Sequence, residues 1–167
     1  MLRIGSGFDV HRFAVEPQVE RQKGASIILA GIKIPHTHML EAHSDGDVLS
    51  HALCDALLGA LALGDIGQHF PDTDPQFENI SSLLLLQHTY QLLKNQGWHL
   101  VNTDITIIAE QPMISPYQLQ MRQSLADVME LSIDQFSIKA TTSEGLGFTG
   151  RGEGIAVQAV ALIEQDI

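Results

Sequence analysis

The sequence predicts a single α/β (α+β) domain over residues 1–167, a mixed β-sheet packed with helices in several layers. Three observations predict it. Short segments of alternating apolar and polar residues intermix with longer ones whose apolar residues recur at helical spacing. The length, 167 residues, is that of one domain. Apolar residues make up 44% and charged residues 17%, and a chain of this size buries roughly 68–70% of its unfolded surface without needing disulfides. No repeat, low-complexity segment or interdomain linker breaks the pattern.

Taken in order, residues 3–13 read as an extended strand with tight glycine turns, and residues 16–26 as a polar surface loop with one proline and one glycine. Residues 27–34 read as strand, turn at Ala30-Gly31, strand. Residues 36–43 are a loop. Ser44-Asp45 supply a helix N-cap, and Val48, Ala52, Ala56, Gly59 and Leu63 recur at helical spacing in a helix over 47–63 that Gly64-Asp65 ends. A turn-rich stretch over 65–75 leads to a second helix over 81–95, closed by Gly97. In the strand at 100–109, Val101, Thr103, Ile105 and Ile107 alternate against Asn102, Asp104 and Thr106. A third helix covers 115–129, and two further strands, 137–142 and 155–163, flank a glycine-rich loop. Strand order is not legible at this level.

The formal charge of −11 and only nine lysines and arginines exclude a nucleic-acid partner, which needs a basic footprint. For a phosphate-binding protein the same charge requires metal ions to offset it. Cys54 is the single cysteine, and one thiol inside an apolar helix fits a reducing cytoplasm. The N-terminus shows no basic region followed by an apolar core. The longest apolar stretch, 52–63, contains Asp55 and is too short to span a bilayer.

Asp9-Val10-His11 is the first constellation with chemical content. Residues two apart on a strand share a face, so Asp9 and His11 can grip one ion while Phe8 and Val10 are expected to pack inward. His51, near the start of the long helix, could supply the third ligand. One carboxylate and two imidazoles leave a tetrahedral position open, the pattern of a catalytic zinc site. Asp47, His51 and Asp55 share a helix face, so Asp55 or Asp47 could hold the second imidazole nitrogen of His51. Spacing alone is equally compatible with a surface strand and a satisfied core histidine. His36-x-His38 also has chelating spacing but no carboxylate in register, and His69, His88 and His99 read as solvated or capping.

The run from Gly145 to Gly154 is dense in glycine and follows Thr141-Thr142. Glycine lets backbone amides approach a phosphate, although neither a Walker A loop nor a dinucleotide fingerprint is present, and a tight β-turn explains it equally. Phe70-Pro71-Asp72-Thr73-Asp74-Pro75 suits a sugar hydroxyl or second cation, or a plain Asx-turn.

Together these motifs resemble the 2-C-methyl-D-erythritol 2,4-cyclodiphosphate synthase family. The matching text is Gly5-x-Gly7-Phe8-Asp9-Val10-His11, then Ala42-His43-Ser44-Asp45-Gly46-Asp47-Val48 with His51 and Asp55. It continues through Leu63-Gly64-Asp65-Ile66-Gly67, Phe70 to Asp74, Lys139-Ala140-Thr141-Thr142 and Leu146 to Gly154. The resemblance spans about residues 3–162. It implies zinc on Asp9, His11 and His51, with Asp9 and His11 also at the substrate. It implies that His43 and Ser44 contact the phosphate and erythritol, with His43 assisting the transition state. Asp65, Ile66 and Gly67 would hold sugar hydroxyls, with Phe70, Pro71, Asp72, Thr73 and Asp74 beside them. Ala109, Glu110, Gln111, Pro112, Met113, Ile114 and Ser115 would wrap the cytosine. Thr141, Thr142, Ser143 and Glu144 would take the diphosphate, with Thr142 a stabilising donor and Glu144 reaching a magnesium or manganese ion. Phe148 and Arg151 complete the set.

The resemblance further implies a homotrimer around an apolar central channel that can hold an isoprenoid diphosphate capped by Arg151. Each active site would be shared: the triad and Asp65 from one subunit, the cytosine loop and Thr141-Thr142 from the next. The expected reaction is a lyase step of non-mevalonate isoprenoid biosynthesis. In it, 4-diphosphocytidyl-2-C-methyl-D-erythritol 2-phosphate closes on itself and releases CMP. Two departures bear on nucleotide affinity. Met113 stands where the family usually has lysine, and Gly145 where a basic residue is common. The rival readings are a metal-dependent phosphohydrolase and a non-catalytic isoprenoid-phosphate-binding trimer.

Overall fold

The computed structural model describes residues 1–15, 25–42, 44–71, 77 and 80–166. Strand β1 (Leu2–Arg12) is followed by a hairpin, β2 (Ser26–Leu29) and β3 (Ile32–Pro35), and by helix α1 (Val48–Ala60). One helical turn, α2 (Ile66–His69), precedes α3 (Ser82–Asn95) and β4 (Trp98–Ile108). Then come α4 (Gln118–Met129), β5 (Phe136–Thr141), the short α5 (Gly147–Gly150) and β6 (Gly154–Gln165). The main sheet has the order β1-β6-β4-β5. β6 runs antiparallel to both β1 and β4, while β4 and β5 are parallel and joined by the α4 crossover, as parallel strands must be. The sheet is therefore mixed, as expected. Among the described residues no helix is long and apolar enough to cross a membrane.

Helices cover one face of this sheet: α1 lies on β1 and β6, α3 packs beside α1, and α4 lies on β5. The core is the apolar layer between them, with Leu49, Leu53 and Leu57 of α1, Leu86 and Leu93 of α3 and Leu125 of α4 against Ile105, Val157 and Ile163. Cys54 is buried there, and burial pushes its thiol up to about 12, so it carries no thiolate for nucleophilic chemistry.

The β1–α1 contact decides where the site forms. Gly5 and Gly7 are the residues of β1 that face the helix, and a Cβ on either would overlap a carbonyl oxygen, of Ala56 and Ala52 respectively. Helix α1 thus rests on the backbone of the strand. This corrects the expectation for Phe8 and Val10. With glycines on the inner face, these two point the other way, Phe8 being 59% and Val10 38% exposed. Leu2 and Ile4 join them on an uncovered apolar stripe.

Helix α1 starts later than expected, because its N-cap is Asp47 and not Ser44-Asp45. Asp47 is fully buried. Its carboxylate accepts from Ser50 N (3.0 Å) and Ser50 Oγ (2.8 Å), and from Ala30 N (2.9 Å) and Gly31 N (2.8 Å) in the turn of the β2–β3 hairpin. Burial pushes its carboxyl pKa up, against those four bonds. The hairpin turn, where Ala30 and Gly31 have φ of 49° and 73°, is thereby fastened to the start of the helix that carries His51.

Candidate metal centre and active site

Asp9 and His11 project from β1 on the same face as Gly5 and Gly7, and His51 comes from the first turn of α1. Because the helix touches the strand backbone, the three side chains meet. Asp9 Oδ2 lies 3.0 Å from His11 Nε2 and 3.2 Å from His51 Nδ1. One ligand atom from each residue falls within 4.8 Å of the others. Two ligands on one tetrahedral zinc stand roughly 3.3 Å apart, given metal bonds of about 2.0–2.1 Å, so the observed separations suit such an ion. The donor set of one carboxylate oxygen and two imidazole nitrogens suits it too.

The electrostatics agree. Burial works against the Asp9 carboxylate, but its hydrogen bonds to His11 and His51 outweigh burial and hold its pKa well below the usual carboxylate range. Burial likewise opposes a charge on His51, yet the Asp9 contact raises its pKa above the ordinary value. Without a metal, a proton on His51 partly plays the cation's part.

Behind His51 stands a group that residue spacing did not suggest. His51 Nε2 is 2.9 Å from Ser82 Oγ, the first residue of α3. Asp45 takes both polar groups of Ser82, its Oδ2 accepting from the backbone N (2.9 Å) and its Oδ1 from the hydroxyl. Asp55 does not hold His51. Its Oδ1 accepts instead from Ile66 N at 2.9 Å, at the start of α2. Asp47 is engaged by the hairpin turn, as described above. Ser82 lies 31 positions from His51, beyond any helix-face argument. The serine pair opening α3 was the one local signal.

The triad opens into a cavity of about 390 Å³ lined also by Val10, Glu41, Ala42, Ser44, Ile66, Gly67, Phe70, Phe77, Ile80 and Leu85. Four residues expected at the substrate, Ser44, Ile66, Gly67 and Phe70, therefore share the triad's cavity. A model of the YgbB family matches residues 2–164. This chain belongs to the YgbB family. The 2-C-methyl-D-erythritol 2,4-cyclodiphosphate synthase of Acinetobacter baumannii (strain SDF) is 59% identical over 162 residues, covering 97% of this chain and 96% of that protein. The bifunctional IspDF of Campylobacter jejuni superposes with a TM-score of 0.89 at 41% identity, over 99% of this chain and 42% of its own length. This chain thus spans less than half of that protein. The CDP complex of Plasmodium falciparum IspF gives a TM-score of 0.83 at 30% identity, over 99% and 97% of the two chains.

Other expected residues of this YgbB-family chain are distributed as follows. Asp65 caps α2, its carboxylate accepting from Gln68 N at 3.1 Å, and Pro71 is half-buried just after α2. His43, Asp72, Thr73 and Asp74 lie outside the described residues. The second block, Ala109 to Ser115 with Thr141 to Glu144, gathers at the end of β4 and β5. Ser143 N and Gly145 N both donate to Glu110 Oε1, at 3.1 and 3.3 Å. Thr142 Oγ1 is 3.4 Å from Glu144 Oε1. Met113 is exposed and Ile114 buried. Phe148 sits on α5, and Arg151 Nε donates to Glu153 Oε1 at 2.7 Å. No described residue of this block lines the triad's cavity. His36 stacks on Phe13 with ring centroids 4.6 Å apart, and its Nδ1 pairs with the backbone of His38. His69 caps the Leu63 carbonyl, and His99 pairs with Asp166.

Proposed function

We propose that this chain converts 4-diphosphocytidyl-2-C-methyl-D-erythritol 2-phosphate to 2-C-methyl-D-erythritol 2,4-cyclodiphosphate, releasing CMP. The observation that carries the reading is the Asp9–His11–His51 cluster opening into a cavity, in a chain matched end to end by proteins named for that synthesis. A CDP complex among the structural neighbours supports a cytidine nucleotide as ligand. In the reaction an oxygen of the substrate's own 2-phosphate bonds to the β-phosphorus, and the bond from that phosphorus to the CMP oxygen breaks. The nucleophile belongs to the substrate, in keeping with a buried, unreactive Cys54. Folding the substrate so that its two phosphates meet supplies a proximity term that reaches about 7–11 kcal/mol in favourable cases.

Zinc on the triad, with magnesium or manganese at the diphosphate, would supply Lewis-acid charge to offset the repulsion between phosphates. The protein's own net charge of −11 makes such cations necessary. In this reading His43, Ser44, Asp65 to Gly67 and Phe70 to Asp74 hold the erythritol and ribose. Residues 109–115 wrap the cytosine, and Thr141 to Glu144 take the phosphates. The enzyme works as a homotrimer, in the cytoplasm, with each site shared by two subunits. Support for the assembly comes from the uncovered stripe of Leu2, Ile4, Phe8 and Val10, an apolar surface that a partner subunit would cover. Support for sharing comes from the separation of residues 109–151 from the triad's cavity within one chain.

The test is ³¹P NMR of the named substrate incubated with the protein, with and without divalent metal. The expected outcome is metal-dependent formation of CMP and a cyclic diphosphate in equal amounts. Release of inorganic phosphate or a linear monophosphate without cyclic product would make the protein a hydrolase instead.

A further inference from the structure

One polar chain has no role in the reading above: half-buried Asp45, buried Ser82 and the far nitrogen of His51. Asp45 accepts from two backbone amides, Ser82 N on Oδ2 at 2.9 Å and Asp47 N on Oδ1 at 3.2 Å, so it stands as a carboxylate with only lone pairs to offer. The hydroxyl of Ser82, within hydrogen-bonding distance of Oδ1, must therefore be the donor in that contact. A hydroxyl has a single proton. Once it points at Asp45, Ser82 Oγ presents only lone pairs to His51 Nε2, 2.9 Å away. The imidazole must then carry a hydrogen on Nε2, separate from the Nδ1 proton that faces the Asp9 carboxylate at 3.2 Å.

We propose that Asp45 and Ser82 are positioning residues that hold a hydrogen on His51 Nε2, so that the proton His51 gives up is the one it shares with Asp9, which frees Nδ1 for a metal ion. Ser82 is fully buried and His51 8% exposed, so water has little access to the bond between them. The serine cannot drift, because its own amide is tied to the same carboxylate at the start of α3. The relay serves one imidazole only. Among the described residues the corresponding nitrogen of His11, Nδ1, is buried with no hydrogen-bond partner. The inference deepens the metal-site reading above and rests on it.

The experiment is ¹⁵N-histidine NMR of the metal-free protein at alkaline pH, joined to zinc affinity by chelator competition. In the parent protein His51 should show a protonated Nε2 and an unprotonated Nδ1; the reverse would overturn the proposal with no variant needed. Ser82→Ala should leave His51 a tautomer mixture and weaken zinc binding roughly 10–100-fold, the usual cost of losing a metal ligand's outer partner. His11 should be unmoved, and Ser82→Thr should restore the parent tautomer. Asp45→Asn should turn the serine hydroxyl round and move the hydrogen towards Nδ1, because the amide must present N–H to one of the two Ser82 donors. A folded Ser82→Ala with parental tautomer and affinity would reduce the chain to a helix cap. Failure of the cyclase reading looks different: the tautomer and zinc affinity would be as stated, with no cyclic product formed.

Discussion

Two regions of this molecule carry its chemistry-bearing residues, and they are built on opposite plans. Around β1 and α1, three ligand atoms fall within 4.8 Å of one another, brought there by a helix resting on strand backbone at Gly5 and Gly7. Around residues 109–115 and 141–151 the polar groups turn to each other. Glu110 accepts the amides of Ser143 and Gly145, and Thr141, Thr142 and Glu144 stay exposed. The contrast teaches that ligand atoms this close need a rigid scaffold, which the strand–helix contact at Gly5 and Gly7 supplies in the first region. A substrate rim can stay open until another surface meets it.

The comparison breaks most completely at the triad. His51→Ala or Asp9→Ala should remove stoichiometric zinc by elemental analysis and lower kcat by roughly a thousandfold or more. A zinc-loaded, active His51→Ala protein would dissolve the first region as a site. Next in size is a test of the second region's openness. Inactive His51→Ala and Thr142→Ala proteins, unfolded and refolded together, should recover activity under the proposed trimer with shared sites, in which every mixed assembly has one junction at which an intact triad faces an intact threonine. Mixed trimers confirmed by mass spectrometry yet wholly inactive would mean that each site is built within one chain.

Smaller effects sharpen the same contrast. Gly7→Ala should cost about 1–3 kcal/mol by pushing α1 off the strand, read as a fall in Tm of about 2–4 °C per kcal/mol, with zinc affinity falling alongside. For pH, the folded-state pKa of His51 is raised above its unfolded value. The metal-free protein therefore gains stability that is full below about pH 6.5 and lost as pH rises through the raised value. Zinc competes with that proton, so its affinity should climb roughly tenfold per pH unit up to that pKa and then level off. Calorimetric titration across pH checks this. Smallest is Asp55→Ala, which should lower stability by about 1 kcal/mol through the lost Ile66 hydrogen bond and leave zinc affinity within about twofold. A tenfold loss would return Asp55 to the metal's surroundings.

The elements were legible where periodicity ran long, as in α1, α3, β4 and β6. The one-turn helices α2 and α5 were not, because so short a helix leaves no periodic signal. The faces of β1 differ from the expectation for a specific reason. Alternation marks two faces but cannot say which is buried when glycine occupies the inner one, and Phe8 and Val10 looked like core simply by being apolar. The triad was readable because two ligands sit two apart on a strand and the motifs around them recur together. Helix arithmetic put Asp55 near His51 but could not say that its carboxylate was already engaged by Ile66 N. Ser82 was beyond reach, since only the packing of α3 against α1 brings it to His51.

The buried carboxylate of Asp47 has one more consequence. The amides of Ala30 and Gly31 bond to it, and it also caps the helix that presents His51. Their hydrogens can exchange with solvent only when that carboxylate lets go. The exchange rates of two residues in a hairpin turn remote in sequence thus become a gauge of how often the His51-bearing end of α1 opens, readable without any probe placed at the triad.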